Sequence, residues 1–244
     1  RIDYFNDTAT ASPKGPLTNS ARDLSATGNA SFGYFGGGYT PTPFSTVSRI
    51  NYLNDTATAS PRGPLSTTKL RTGTTSNASF GYFGGGQSPA ASPSDLSTVD
   101  RIDYSNDGAA ASPKGPLSVA RTALTATGNQ DFGYFAGGEP SPIKSLVDRV
   151  DYSNDTATAV AKGPLSVASL RFGATGNSSF GYFGGGVTPS LISTVSRIDY
   201  SNDTATASPK GPLSGAKGYV AATGDSSFGY FAGGTTPSLI STVD

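Results

Sequence analysis

The chain has 244 residues, with 17 basic side chains against 17 acidic ones, and contains no Cys, His, Met or Trp. Those absences exclude disulfides, thiolate and imidazole metal sites and His-assisted nucleophiles. Zero net charge argues against an electrostatically driven nucleic-acid binder, and no run of 18 apolar residues exists to insert in a membrane as a helix. Leu, Ile, Val and Phe supply only 45 residues, a level at which disorder is usually suspected, yet disorder also needs a high net charge.

What organises the chain is repetition. Arg1-Ile-Asp-Tyr recurs at Arg49, Arg101, Arg149 and Arg197, with spacings of 48, 52, 48 and 48 residues. Each copy also carries Gly-Pro-Leu (Gly15, Gly63, Gly115, Gly163, Gly211) and Phe-Gly-Tyr-Phe (from Phe32, Phe80, Phe132, Phe180, Phe228). The chain therefore divides into repeats 1–48, 49–100, 101–148, 149–196 and 197–244, forming one domain. The first residue is Arg1 rather than Met, from which we expect a processed or excised piece of something longer.

A period of 40 to 50 residues with every apolar run broken by Thr, Ser, Gly, Asn or Pro excludes a helical array and points to propeller blades. In chain order, the third copy predicts a strand of small residues over 122–127 and a Gly128-Asn129 turn. A second strand follows over 132–135, a third over 146–152, a polar turn at 153–155 and a fourth strand over 156–160. Small residues on the first strand and aromatic ones on the second suit a tight ring. The fold expected is all-β: a five-bladed β-propeller of four-stranded antiparallel blades. Ser241-Thr-Val-Asp244 followed by Arg1-Ile-Asp-Tyr4 would rebuild one strand, so we expect the ring to close by pairing of the N- and C-terminal segments.

Tyr34-Phe-Gly-Gly37, then a loop and Val-x-Arg-Ile-Asp-Tyr, resembles the kelch repeat over all five copies. The Trp of the outer kelch strand is missing, with Thr158 and Ala159 in that region. The phrasing Asn-Asp-Thr-Ala-Thr-Ala with Gly-Pro-Leu-Ser is also similar to repeats in structural proteins of marine bacteriophages. That likeness implies a virion or extracellular setting and, as partners, a protein or glycan at a host surface or other virion proteins.

The copies differ most after Gly-Gly, where Tyr39–Phe44, Gln87–Leu96 and Glu139–Lys144 are unlike each other. They also differ before the first strand, where basic residues stand at Arg22, Lys69 with Arg71, Arg121, Arg171 and Lys217. Both stretches belong on one rim of the blades, the usual place for binding on a rigid scaffold. The candidate contacts are Tyr39, Phe44, Gln87, Asp95, Glu139, Lys144, Arg22, Lys69, Arg121, Arg171 and Lys217. Simple drift of exposed loops is the competing account. Arg1, Arg49, Arg101, Arg149 and Arg197 are expected to pair with Asp within their own blades. Asp7, Asp55, Asp107, Asp155 and Asp203 are expected to cap their own Asn-Asp turns.

No catalytic residue, metal or cofactor is expected. Glu139 is the only Glu, the first strands carry no Asp to make a converging carboxylate pair, and no Gly-Lys-Ser/Thr follows the Gly runs. The reading is a non-enzymatic structural or binding module. The alternatives are a soluble multivalent lectin and an engineered symmetric repeat protein without a ligand.

Overall fold

The computed structural model describes residues 1, 6, 8–89 and 94–244. The predicted strand at 2–4, Asp7 and part of the long loop between Gln87 and Leu96 lie outside the described residues. Four units repeat one antiparallel meander. In the first, β1 (Ser25–Gly28), β2 (Phe32–Gly36), β3 (Val47–Asn51) and β4 (Ser60–Arg62) pair in that order. The second holds β5 (Gly73–Ser76), β6 (Phe80–Gly84), β7 (Val99–Asp103) and β8 (Ser112–Lys114). The third holds β9 (Thr125–Gly128), β10 (Phe132–Ala136), β11 (Val147–Asp151) and β12 (Val160–Ala161). The fourth holds β13 (Gly173–Gly176), β14 (Phe180–Gly184), β15 (Val195–Asp199) and β16 (Ser208–Lys210). The fifth is a two-stranded sheet, β17 (Ala221–Gly224) with β18 (Gly229–Ala232). Asp244 exchanges backbone hydrogen bonds with Phe231, each 2.9 Å.

The sequence reading finds three strands of the third unit nearly in place and misplaces the fourth. Thr156–Ala159 is turn and extended chain, and pairing starts at Val160. The reason is a stronger partner: the Ala159 N–H donates to the carbonyl of Pro116 in the preceding unit (2.8 Å), and Ala59, Ala111 and Ala207 do the same with Pro16, Pro64 and Pro164. Pro is tolerated in β4, β8 and β16 because these are outer, edge strands. The third strand ends one residue early, at Asp151, whose carboxylate accepts from the Ser153 N–H and starts a single 3-10 turn, Tyr152–Asn154.

First strands of successive units lie side by side, from β1 to β5, β9, β13 and β17. Hydroxyls tie them in place of a ladder: Thr74 Oγ1 donates to the Ala26 carbonyl (2.6 Å) and Ser76 Oγ to that of Gly28 (3.0 Å). Aromatic cores fill the seams. Tyr34 stacks on Tyr104, Tyr82 on Tyr152 and Tyr134 on Tyr200, with ring centroids 4.6 to 4.8 Å apart. Each pair thus joins one unit to the next.

The same seams correct the reading of the charged repeat positions. Arg49 bonds Asp107 (2.7 Å), Arg101 bonds Asp155 (2.7 Å) and Arg149 bonds Asp203 (2.8 Å), so the partner sits in the following unit and not within the blade. Arg1 reaches Asp55 (3.1 Å) likewise. Asp55, Asp107, Asp155 and Asp203 hold the C-cap positions of the 3-10 turns, but their side chains are junctions, those of Asp107, Asp155 and Asp203 also accepting from the hydroxyls of Tyr34, Tyr82 and Tyr134. Side-chain capping falls to Asn51, Asp103, Asp151 and Asp199, four residues earlier. Arg49, Arg101, Arg149 and Arg197 also lie over a Phe of their own unit, as Arg101 does over Phe80 (4.2 Å to the centroid).

Among the described residues no sheet pairing joins β17 and β18 to the first unit. Residues 14–16 dock on the first unit, where the Gly15 N–H donates to the Asp55 carbonyl (2.8 Å). Gly211, the counterpart of Gly15 on the fourth unit, has among the described residues no neighbour within 4 Å of where a Cβ would stand. Phe228 is 65% exposed, unlike the half-buried Phe32, Phe80, Phe132 and Phe180.

Candidate functional site

Between the fourth strand of one unit and the first of the next, the chain passes a buried Leu (Leu65, Leu117, Leu165 or Leu213) and turns sharply. The turning residue is Asp23, Arg71, Ala123, Arg171 or Tyr219, one per unit, and each holds a positive φ of 56° to 60°. Non-Gly residues adopt that conformation at a cost of order 1 kcal/mol or more, so the surroundings must impose it. The imposing bonds run from unit to unit: the Arg71 N–H donates to the Asp23 carbonyl (2.9 Å), Ala123 to Arg71 (3.1 Å), Arg171 to Ala123 (2.9 Å) and Tyr219 to Arg171 (2.7 Å).

These five residues stand at one end of a cavity of about 530 Å³ lined by all five units. Its wall is apolar or small, with Leu24, Leu124, Phe172 and Val220 prominent. Two of the hydroxyls along it serve the protein: Ser25 Oγ donates to the Thr72 carbonyl (2.7 Å) and Thr74 Oγ1 to that of Ala26, while Thr72 and Thr125 also line the wall. Chemistry at the mouth is therefore set by the left-handed positions. The Arg71 guanidinium lies 3.4 Å from the Asp23 carboxylate, both partly exposed. The Arg171 guanidinium lies over the ring of Tyr219 (4.8 Å to the centroid) and donates to its hydroxyl. Among the described residues Arg171 has no carboxylate partner, and its Nε is buried without a hydrogen bond.

Of the candidate contacts only Arg171 lines this cavity, joined there by Arg71, the basic residue noted beside Lys69. Lys69, Arg121 and Lys217 are not on the rim at all; each is buried and paired. Lys69 bonds Asp100 (3.0 Å), Arg121 bonds Asp148 (2.6 Å) and Lys217 bonds Asp244. Burial pushes the Lys69 and Arg121 cations towards lower pKa, against the pull of their carboxylates. The signal was present in the sequence: a cation occurs where the third strand carries Asp after Val. Where that residue is Ser48 or Ser196, the equivalent positions are Ala21 and Ser169, and hydroxyls pair instead, Ser196 with Ser166 at 2.6 Å.

The other predicted contacts lie on the loops outside the mouth. Bridges Arg22↔Tyr39, Leu70↔Gln87 and Thr122↔Glu139 join the two variable stretches of each unit. Arg22 lies over the Tyr39 ring at 4.8 Å. Asp95 is pushed above the ordinary carboxylate value by burial and then by the negative charge of Glu139 on the next unit's loop. Phe44 and Lys144 occupy one equivalent loop-closing position, their N–H groups donating to Gly38 (3.1 Å) and Gly138 (2.8 Å). Asp23, Ala123 and Tyr219 escaped sequence reasoning because a left-handed residue that is not Gly leaves no local signature.

Comparison with protein-family models and with curated proteins finds no match for this chain.

Proposed function

We propose that the chain is a non-enzymatic recognition module, a five-bladed propeller that takes its ligand at the mouth of the axial cavity. The observation that carries the reading is the contrast between framework and mouth. Five equivalent backbone positions, held in one strained conformation, carry Asp, Arg, Ala, Arg and Tyr, while the seam residues around them repeat almost unchanged. A lectin with one pocket per blade would repeat its contact residues, and these positions do not. The mouth offers no acid–base pair, because its single carboxylate, Asp23, is engaged by Arg71.

Closure of the ring belongs to the same proposal. The C-terminal half-blade holds inner strands and residues 14–16 lie on the first unit, so each end supplies what the other lacks. A cavity of about 210 Å³ lined by Thr175, Tyr182 and Phe228 lies between the fourth and fifth units. The setting we propose is the surface of a phage particle, on the strength of the repeat phrasing, with a host-surface glycan or protein as target. The test is a glycan array probed with the purified chain. Binding lost in the Arg171→Met and Tyr219→Ala variants, with the fold intact by circular dichroism, is the expected result. Binding that survives both substitutions would move the site away from the mouth.

A further inference from the structure

The cavity mouth discriminates by charge as well as by shape. Resting on the recognition reading above, we propose that its ligand is a small molecule bearing one carboxylate. The acid group would bind between Arg171 and Arg71, and its body would enter the cavity against Leu24, Leu124, Phe172 and Val220.

Three observations lead to this class. First, the mouth carries two guanidinium groups against one carboxylate, an excess of one positive charge. A monoanion neutralises it, whereas a phosphate dianion would leave a negative charge facing an apolar wall, an arrangement that low-polarity surroundings penalise. Second, Arg171 is held ready. Stacking on Tyr219 and the bond to its hydroxyl fix the guanidinium plane, while no carboxylate of the chain is bonded to it among the described residues. A planar guanidinium matches a carboxylate through two parallel hydrogen bonds, and a pre-positioned one gives up little freedom on binding. Third, the cavity volume suits a body of monosaccharide to disaccharide size, and two of the four Ser/Thr hydroxyls on the wall, those of Ser25 and Thr74, are already committed to neighbouring carbonyls. The ligand body is therefore recognised through an apolar face, with the half-exposed Tyr219 ring at the rim.

The experiment is a ligand-observed NMR screen of the intact chain against a panel of monocarboxylates: uronic and sialic acids, aromatic acids and short keto acids. Each is paired with its methyl ester or neutral parent, and inorganic phosphate and sulfate are run beside them. At least one acid is expected to bind where its ester does not, with about tenfold or greater loss in Arg171→Met and in Arg71→Met and none in Arg22→Met. Ala123→Tyr, which copies the residue found at the equivalent Tyr219, is expected to block the cavity without disturbing the backbone. Esters or neutral parents that bind as well as the acids, and are lost in Ala123→Tyr but not in Arg171→Met, would overturn the carboxylate assignment while leaving the mouth as the site. Phosphate or sulfate competing at equal concentration would also overturn it. No binding by any member, with binding at the mouth still seen on the glycan array, would overturn the carboxylate assignment alone, and silence in both experiments would remove the recognition reading together with it.

Discussion

At the residue scale, the seams depend on tyrosine hydroxyls that face carboxylates or threonines in the dark of the interface. Burial, and after it the adjacent Asp junction, drives Tyr34, Tyr82 and Tyr134 well above the ordinary phenol value. Burial pushes Tyr104 up to about 12, and raises Tyr152 and Tyr200 as well. In the unfolded chain the same groups titrate near 10. A raised folded value means that this stability is fully present below about pH 10 and is lost as pH rises towards the folded values. The melting temperature is therefore expected to hold to about pH 10 and then fall steeply. Tyrosinate absorbance near 295 nm should rise together with loss of the far-ultraviolet strand signal. Full ionisation of these tyrosines with the sheets still folded would show that the hydroxyls are not the seam contacts described.

At the scale of the element, Gly-Pro-Leu is the part of the repeat that fits one unit to the next. The Gly115 N–H donates to the carbonyl of Asp155 (2.8 Å), the Pro116 carbonyl accepts from Ala159 (2.8 Å), and Leu117 is buried. A Cβ on Gly115 would overlap the carbonyl of Ala157, and Gly63 and Gly163 face Ala109 and Ala205 in the same way. Because the obstacle is backbone, Gly115→Ala is expected to destabilise by about 2 kcal/mol, lowering the melting temperature by roughly 5 °C for a chain of this size. An unchanged melting temperature would mean that the units are not packed through this motif. The motif was legible as a repeat, but its role was not. Nothing local says that the Ala after each Asn-Asp turn seeks a carbonyl 43 residues back (Ala159 to Pro116), and that bond is why the fourth strand begins later than the alternation of Thr and Ala suggests.

Across the whole molecule, one substitution reads out whether the fifth unit joins the first. Gly211 stands where Gly15, Gly63, Gly115 and Gly163 meet an Ala carbonyl, yet it meets nothing among the described residues. If the ring closes, Ala9 comes to it. Gly211→Ala is then expected to cost about as much as Gly115→Ala, roughly 2 kcal/mol. A neutral or stabilising Gly211→Ala, measured by the same thermal melts, would leave the first and last units unjoined. Closure also bears on function, because the cavity mouth needs the fifth unit's Tyr219 held against Arg171.

By itself the sequence determined the repeat, the all-β class, the first three strands of the third unit to within a few residues and the absence of Cys and His chemistry. All of these depend on short-range alternation, turn residues and composition. Tertiary structure alone decided which charges are buried and which are offered. Lys69, Arg121 and Arg171 look alike as basic residues before a first strand, but two positions along the chain separate a cation sealed against Asp100 or Asp148 from one turned outward on a left-handed residue. The physical reason is that burial and left-handed backbone are imposed by the neighbouring unit, through bonds such as Arg171 N–H to Ala123 and Tyr219 N–H to Arg171. Contacts between residues 48 positions apart have no counterpart in local propensity.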